Sequence, residues 1–364
     1  MKKLFQSVLT LAVIAVMGSC GNNRQFVIEG TVADDALEGQ TIYLPDFVST
    51  DTPIDSAVVT DGHFRFSGEV DNPWIGLAAM NGFAQQFVVE PGTVTVAADT
   101  VYGTPLNDKM NTYFNSQEVN GLQEELTFYL HAYYAATDAQ ERAEAEHSYD
   151  SIEAIINKMQ LDEAWRCYRE NGDNILGAVA MGQIANLGNY THTQMDSILD
   201  GASQLVKDFK PVAQKMEQLR CVEATSAGKH YTDIQGVDGK LSDLIDGKLA
   251  LVDFYASWCG PCRAEIRDNL VPLWKKYEKK GLVIVGLNVW ERGDREAREA
   301  AHAKVMADLG ITYPQLVDST RTATTVYGEQ GIPQIMLIAP DGTILARGLR
   351  GAAIEEAIKE ALGK

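Results

Sequence analysis

Two cysteines, Cys259 and Cys262, follow the apolar run Leu249–Tyr255, and a helical pattern begins near Pro261. The run reads as a buried strand, and a Cys-x-x-Cys at a strand–helix junction is a redox signature. Unpaired backbone N–H groups and the dipole at a helix N-terminus favour a thiolate at the first cysteine. The second lies within disulfide reach. Pro261 suits the first helical turn, where its missing N–H would have no partner. A Cys259 thiolate can attack a substrate disulfide and form a mixed disulfide, which Cys262 resolves. An inert staple is the weaker reading, because so short a loop constrains the unfolded chain very little.

Two carboxylates could move the protons. Asp253 lies inside the apolar run, where desolvation raises a carboxyl pKa. Glu265 follows Cys262 by three positions, which puts it on the same helical face.

These residues need a scaffold, and the chain from residue 226 onward supplies one. A small hairpin around 237–239 precedes the run at 249–255. A helix over 262–280 is interrupted at Pro272, which biases Val271 away from helix. Then come a near-continuous apolar strand over 281–289, a helix over 295–309, a short strand over 313–317 and a short helix over 323–327. Strands over 334–339 and 343–347 form a hairpin across Pro340-Asp341-Gly342, and a helix over 352–362 closes the chain.

Upstream, residues 25–106 show short strands and turns, with Asp61-Gly62 as a hairpin signal. The pattern suggests an antiparallel β-sandwich or barrel. Residues 107–225 turn helical: Leu122, Leu126, Tyr129 and Tyr133 recur at helical spacing, and Thr193 is a candidate N-cap. Phe128, Tyr129, Tyr133 and Tyr134 read as core aromatics. His131, His147 and His192 have no partners at ligand spacing, so no metal is expected.

Trp258-Cys259-Gly260-Pro261-Cys262 resembles the active-site motif of the thioredoxin superfamily. Cys-x-x-Cys-x-x-Glu through Glu265, with the insertion over 295–327, is similar to the TlpA/ResA group and its peroxiredoxin relatives. The resemblance implies a multidomain chain ending in an α/β thioredoxin fold, acting as a thiol–disulfide oxidoreductase. It makes Asp253 the buried acid that deprotonates the resolving cysteine. It makes Pro333, in Gly331-Ile332-Pro333, a cis-proline facing the site, with the Ile332 backbone free to pair with an extended substrate. Trp258 would supply a flat docking surface. The redox-active Cys259–Cys262 disulfide would serve without any cofactor. Nothing near Cys259 provides the Pro-x-x-x-Thr-x-x-Cys of a peroxidatic site. The region over 25–115 resembles a β-domain of unknown function that precedes thioredoxin-like domains in Bacteroidetes lipoproteins.

Net charge is −19, which argues against nucleic acid as a partner. The acidity is uneven: the first 225 residues carry −18 of it, and the region from Ser226 is nearly neutral. Met1-Lys2-Lys3 and the apolar run over 8–17 read as a signal peptide over 1–19, too short to span a bilayer. Met17-Gly18-Ser19-Cys20 resembles a bacterial lipobox, which makes Cys20 the lipidated first residue and 20–24 a tether. No other stretch is long and apolar enough for a membrane helix.

The expected setting is therefore periplasm-facing, anchored to a membrane through the N-terminal lipid. Expected partners are cysteine-containing exported proteins and an upstream membrane or periplasmic electron donor. Cys167 and Cys221 either pair as a structural disulfide or stand as buried thiols. The competing class is a lipid-anchored binding or scaffold protein in which the redox pair is secondary.

Overall fold

The computed structural model describes residues 24–48, 52–97, 100–114, 116–318 and 320–363. The expected signal segment and Cys20 lie outside them. The chain divides into two compact units, one ending at Gly177 and one beginning at Ala178, within the helix Ile175–Leu187.

In the first unit two four-stranded sheets face one another. One runs in the order His63–Glu69, Gln25–Thr31, Gly92–Val96, Val101–Tyr102, and the other Asp55–Val58, Thr41–Leu44, Trp74–Met80, Phe83–Val89. Alternate residues point inward, so Ile28, Phe66 and Val94 from one sheet share a core with Ile42, Leu44 and Phe87 from the other. This is a sandwich; the described strands form no closed barrel. It is also not wholly antiparallel, because Gln25–Thr31 pairs parallel with Gly92–Val96.

The expected hairpin at Asp61-Gly62 is corrected in the same way. The turn forms, with φ of 51° and 71° and a bridge between Thr60 and His63. The strands on either side of it belong to different sheets, each at an edge, so the turn is a corner of the sandwich. A two-residue hairpin sits instead at Asn81-Gly82, joining Trp74–Met80 to Phe83–Val89.

The helices Gln117–Ala135 and Ala139–Asn171 meet along Leu126, Ile152 and Ile156, with Leu122 and Tyr129 packed against them. Phe128 and Tyr134 fall off that stripe and are exposed, contrary to the expectation of core aromatics.

The second unit holds a five-stranded sheet in the order Gln315–Val317, Leu282–Asn288, Leu249–Tyr255, Gln334–Ile338, Ile344–Arg347. The first three run parallel, Gln334–Ile338 runs against them, and Ile344–Arg347 turns back against Gln334–Ile338 in the antiparallel hairpin expected from the sequence. Every residue of the two central strands is buried. Leu249, Leu251 and Tyr255 face one layer, with Cys262, Ile266 and Ile354; Ala250, Val252 and Phe254 face the other.

Pro272 does not break the following helix. Ile266–Leu270 widens into a π turn, Val271 keeps helical angles, and Pro272 falls in the first turn of Val271–Tyr277. The extra residue in the turn absorbs the proline's missing N–H. The N-cap placed at Thr193 lies at Thr191, which forms a capping box with Gln194.

Helix Lys210–Ala224 is fastened to this sheet by Arg347. Its guanidinium donates to the Thr225 hydroxyl at 2.7 Å, to the carbonyls of Thr225 and Val222 at 3.0 and 3.2 Å, and to that of Tyr327 at 2.8 Å. It also pairs with Glu329, and the two side chains are only 12% and 9% exposed. A cation over the last carbonyls of a helix complements its dipole. Removing one partner of a buried pair typically costs about 3–5 kcal/mol. Arg347→Met should therefore lower the urea midpoint of unfolding substantially, and Glu329→Gln in the same chain should restore part of the loss. An unchanged midpoint in Arg347→Met would refute this anchoring.

Candidate active site

Strand Leu249–Tyr255 ends where Ala256-Ser257-Trp258 turns into helix Gly260–Glu265. Cys259 is the N-cap of that helix, and its sulfur accepts the Cys262 N–H at 3.2 Å. Pro261 occupies the first turn. Cys259 and Cys262 are joined as a disulfide, with Cα atoms 5.3 Å apart. Cys262 is fully buried and Cys259 retains 5% exposure, so approach from outside favours the Cys259 sulfur.

The Ile332–Pro333 peptide is cis. The Ile332 carbonyl lies 3.8 Å from Cys259 Sγ, and the Pro333 carbonyl accepts from the Arg350 guanidinium. Trp258 is 43% exposed beside the pair. The sequence-predicted residues Trp258, Cys259, Cys262, Ile332 and Pro333 therefore belong to one end of the central sheet.

Asp253 sits in the same alternating row as Leu251 and Tyr255, so it faces the layer that contains Cys262. It is 1% exposed, and neither of its oxygens has a hydrogen-bond partner. Another Leu or Ile in that row would add about 2 kcal/mol of burial, which Asp253 forgoes. Burial pushes its carboxyl up to about 8; Arg350 pulls the other way, and Glu265 adds to the rise. Glu265 is half-buried and accepts the Asn269 amide at 2.7 Å and the Gly351 N–H at 3.0 Å. It ties the cysteine helix to the start of helix Ala352–Ala361.

Residues 290–292, which the sequence reading left unassigned, form the opposite side of the site together with Asn288 at the end of its strand. Glu291 Oε1 accepts the Ser257 N–H at 2.6 Å and the Asn288 amide at 2.8 Å, and Oε2 accepts the Ser257 hydroxyl at 2.7 Å. The Trp290 carbonyl accepts the Trp258 indole N–H at 2.9 Å, and Arg292 lies 4.2 Å from the centre of the Trp258 ring. A signal for them was available. Parallel neighbours ending together bring the residues after both strands to one place, the usual site of chemistry in such sheets. Tyr255 pairs with Asn288, so Glu291 follows its strand much as Ser257 follows its own.

Cys167 and Cys221 are buried free thiols, not a disulfide. Burial pushes Cys167 up to about 12 and raises Cys221 as well, so neither is readily a thiolate.

Residues 223–347 match the AhpC/TSA family. Residues 26–110 match a domain of unknown function, DUF4369. The chain is similar to the thiol:disulfide interchange protein HelX of Rhodobacter capsulatus, 34% identical over 32% of this chain and 60% of that protein. It is similar to the thiol:disulfide interchange protein CycY of Rhizobium leguminosarum, at 36% over 32% of this chain and 58% of that protein. It is likewise similar to the thiol-disulfide oxidoreductase ResA of Bacillus subtilis, at 30% over 31% and 59%.

The chain thus spans about 60% of the length of these curated relatives. The thioredoxin domain of a thiol-disulfide oxidoreductase from Bacteroides vulgatus is 26% identical over 38% of this chain and 98% of that one, with a TM-score of 0.33. The family match and the order of the five-stranded sheet make the C-terminal region a thioredoxin-like domain.

The state of Asp253 has a measurable consequence. Its folded pKa lies above the unfolded value, so between about pH 4 and 8 the folded chain holds the proton more tightly. Its contribution to stability is then greatest at low pH and declines as pH rises toward 8. Asp253→Asn should remove this slope, so its melting temperature should gain on the wild type as pH goes from 5 to 8. Parallel curves for the two proteins would refute a buried, neutral Asp253.

Proposed function

We propose that this chain is an extracytoplasmic thiol–disulfide oxidoreductase that exchanges disulfides with exported proteins through Cys259 and Cys262, as a reductant or isomerase. The observation that carries this reading is a disulfide at a helix N-terminus, with the less buried sulfur beside the Ile332 carbonyl. The names of the similar proteins support it.

In the reducing direction the Cys259 thiolate attacks one sulfur of a client disulfide. A Cys259–client bond forms, the client S–S bond breaks, and the released thiolate takes a proton. Cys262 then loses its proton to a carboxylate, either Glu265 or Asp253 in its ionised form, and attacks Cys259 Sγ. The second client thiol leaves, and the Cys259–Cys262 disulfide remains. Two electrons have passed to the client, and an upstream donor must replace them. No cofactor beyond the disulfide enters this cycle. Trp258 and the backbone at Ile332-Pro333 would hold the client segment.

The signal-like segment over 1–19 and the lipobox-like residues ending at Cys20 support export and a lipid anchor. We read 25–106 as a β-domain, 107–225 as a helical region and 226–364 as the catalytic domain.

With dithiothreitol as reductant, the wild type should speed the precipitation of reduced insulin, and Cys259→Ser should abolish the effect. Cys262→Ser should instead accumulate mixed disulfides, visible as dithiothreitol-sensitive bands on non-reducing gels. Full activity in Cys259→Ser would refute the assignment. A scaffold role would show as one non-covalent partner in place of several trapped cysteine-bearing proteins.

A further inference from the structure

Glu291 is 8% exposed, yet its carboxylate contacts three hydrogen-bond donors. Two of those donors belong to Ser257, two positions before Cys259. All three contacts suit an ionised carboxylate, which accepts and does not donate. Its immediate neighbours Trp290 and Arg292 both touch Trp258. A buried charge is therefore fastened directly to the segment that presents the attacking sulfur.

We propose that Glu291 is a positioning residue of this site, fixing the Ser257–Trp258 step and biasing the Cys259–Cys262 couple toward its disulfide form. The inference rests on the disulfide-exchange reading and adds a direction to it. The disulfide carries no charge, whereas the reduced pair gains stability from a thiolate at Cys259. A buried carboxylate nearby disfavours that thiolate. Less stabilisation of the reduced form makes the domain a better reductant.

Other charged groups lie on the elements around Cys259. On its own helix, Arg263 donates to the Ser257 carbonyl at 3.4 Å and pairs with Asp308 at 3.5 Å, and Glu265 is bound by Asn269 and Gly351. Arg292 lies over Trp258, Asp253 lies in the adjoining strand, and Arg350 reaches the Pro333 carbonyl. Glu329, just before the cis-proline loop, is paired with Arg347. Of the acids, Glu291 is the one hydrogen-bonded to the cysteine loop itself.

The test is to equilibrate the full chain with glutathione buffers and to follow iodoacetamide alkylation of reduced Cys259 against pH. Glu291→Gln keeps an oxygen for the Ser257 N–H but removes the charge. It should shift the equilibrium about tenfold toward the dithiol, roughly 30 mV more positive, and move the alkylation midpoint to lower pH. Glu291→Asp, which keeps the charge, should stay near the wild type on both readouts.

An unchanged potential and alkylation profile in Glu291→Gln would overturn the inference, even if its melting temperature fell. Ser257→Ala keeps the charge and removes one hydrogen bond, so it serves as a second arm if the Gln variant does not fold. It should keep the wild-type potential, and a shift of about tenfold there would overturn the role given to charge. A wild-type chain that exchanges with no glutathione buffer would overturn the disulfide-exchange reading itself and this inference with it.

Discussion

Leu249–Tyr255 and Leu282–Asn288 pair in parallel and end level, with Tyr255 opposite Asn288. Both chains therefore leave the sheet at the same height, and the residues after each must run side by side. The bonds from Glu291 to Ser257 and from Trp258 to Trp290 depend on that register. A slip of one residue would turn every side chain of the strand to the other face. Asp253 would then face the layer away from Cys262. The register is held by apolar side chains filling both layers, so the chemistry at the strand ends rests on packing some distance below it.

The Cys259–Cys262 disulfide has carboxyl groups near it in opposite circumstances. Asp253 is buried with no hydrogen-bond partner for either oxygen, which favours its neutral form. Glu291 is almost as buried but accepts three hydrogen bonds from N–H and O–H groups. Similar burial thus yields two electrostatic environments, decided by whether the local backbone and side chains offer hydrogens. Glu265 is a third case, half-buried and engaged mainly in holding two helices together.

What could be read from the sequence was largely what is local in it. The cysteine pair, Asp253 as a lone acid in an apolar run, and Ile332-Pro333 before a strand carry their signals within a few residues. Glu291, Arg350 and Arg347 act on partners 34, 17 and 122 positions away, and no local pattern announces such pairs. The β-region shows the same limit. Alternation located its strands, but which sheet each one joins depends on edge pairing, so Asp61-Gly62 looked like a hairpin and is a corner. In the helices, aromatic content suggested a core, but only the stripe facing the partner helix is covered, and Tyr134 lies outside it.

Arg347 bears on where the thioredoxin-like part of this chain begins. The family match starts at residue 223, inside helix Lys210–Ala224. The carbonyls that Arg347 grips lie at the end of that helix, and Gln218, one turn earlier, donates to the Gly328 carbonyl at 2.8 Å. The family match therefore begins well inside the compact unit that starts at Ala178. This helix lies almost wholly outside the matched residues, yet both Arg347 and the Gly328 carbonyl bind it to the sheet within them.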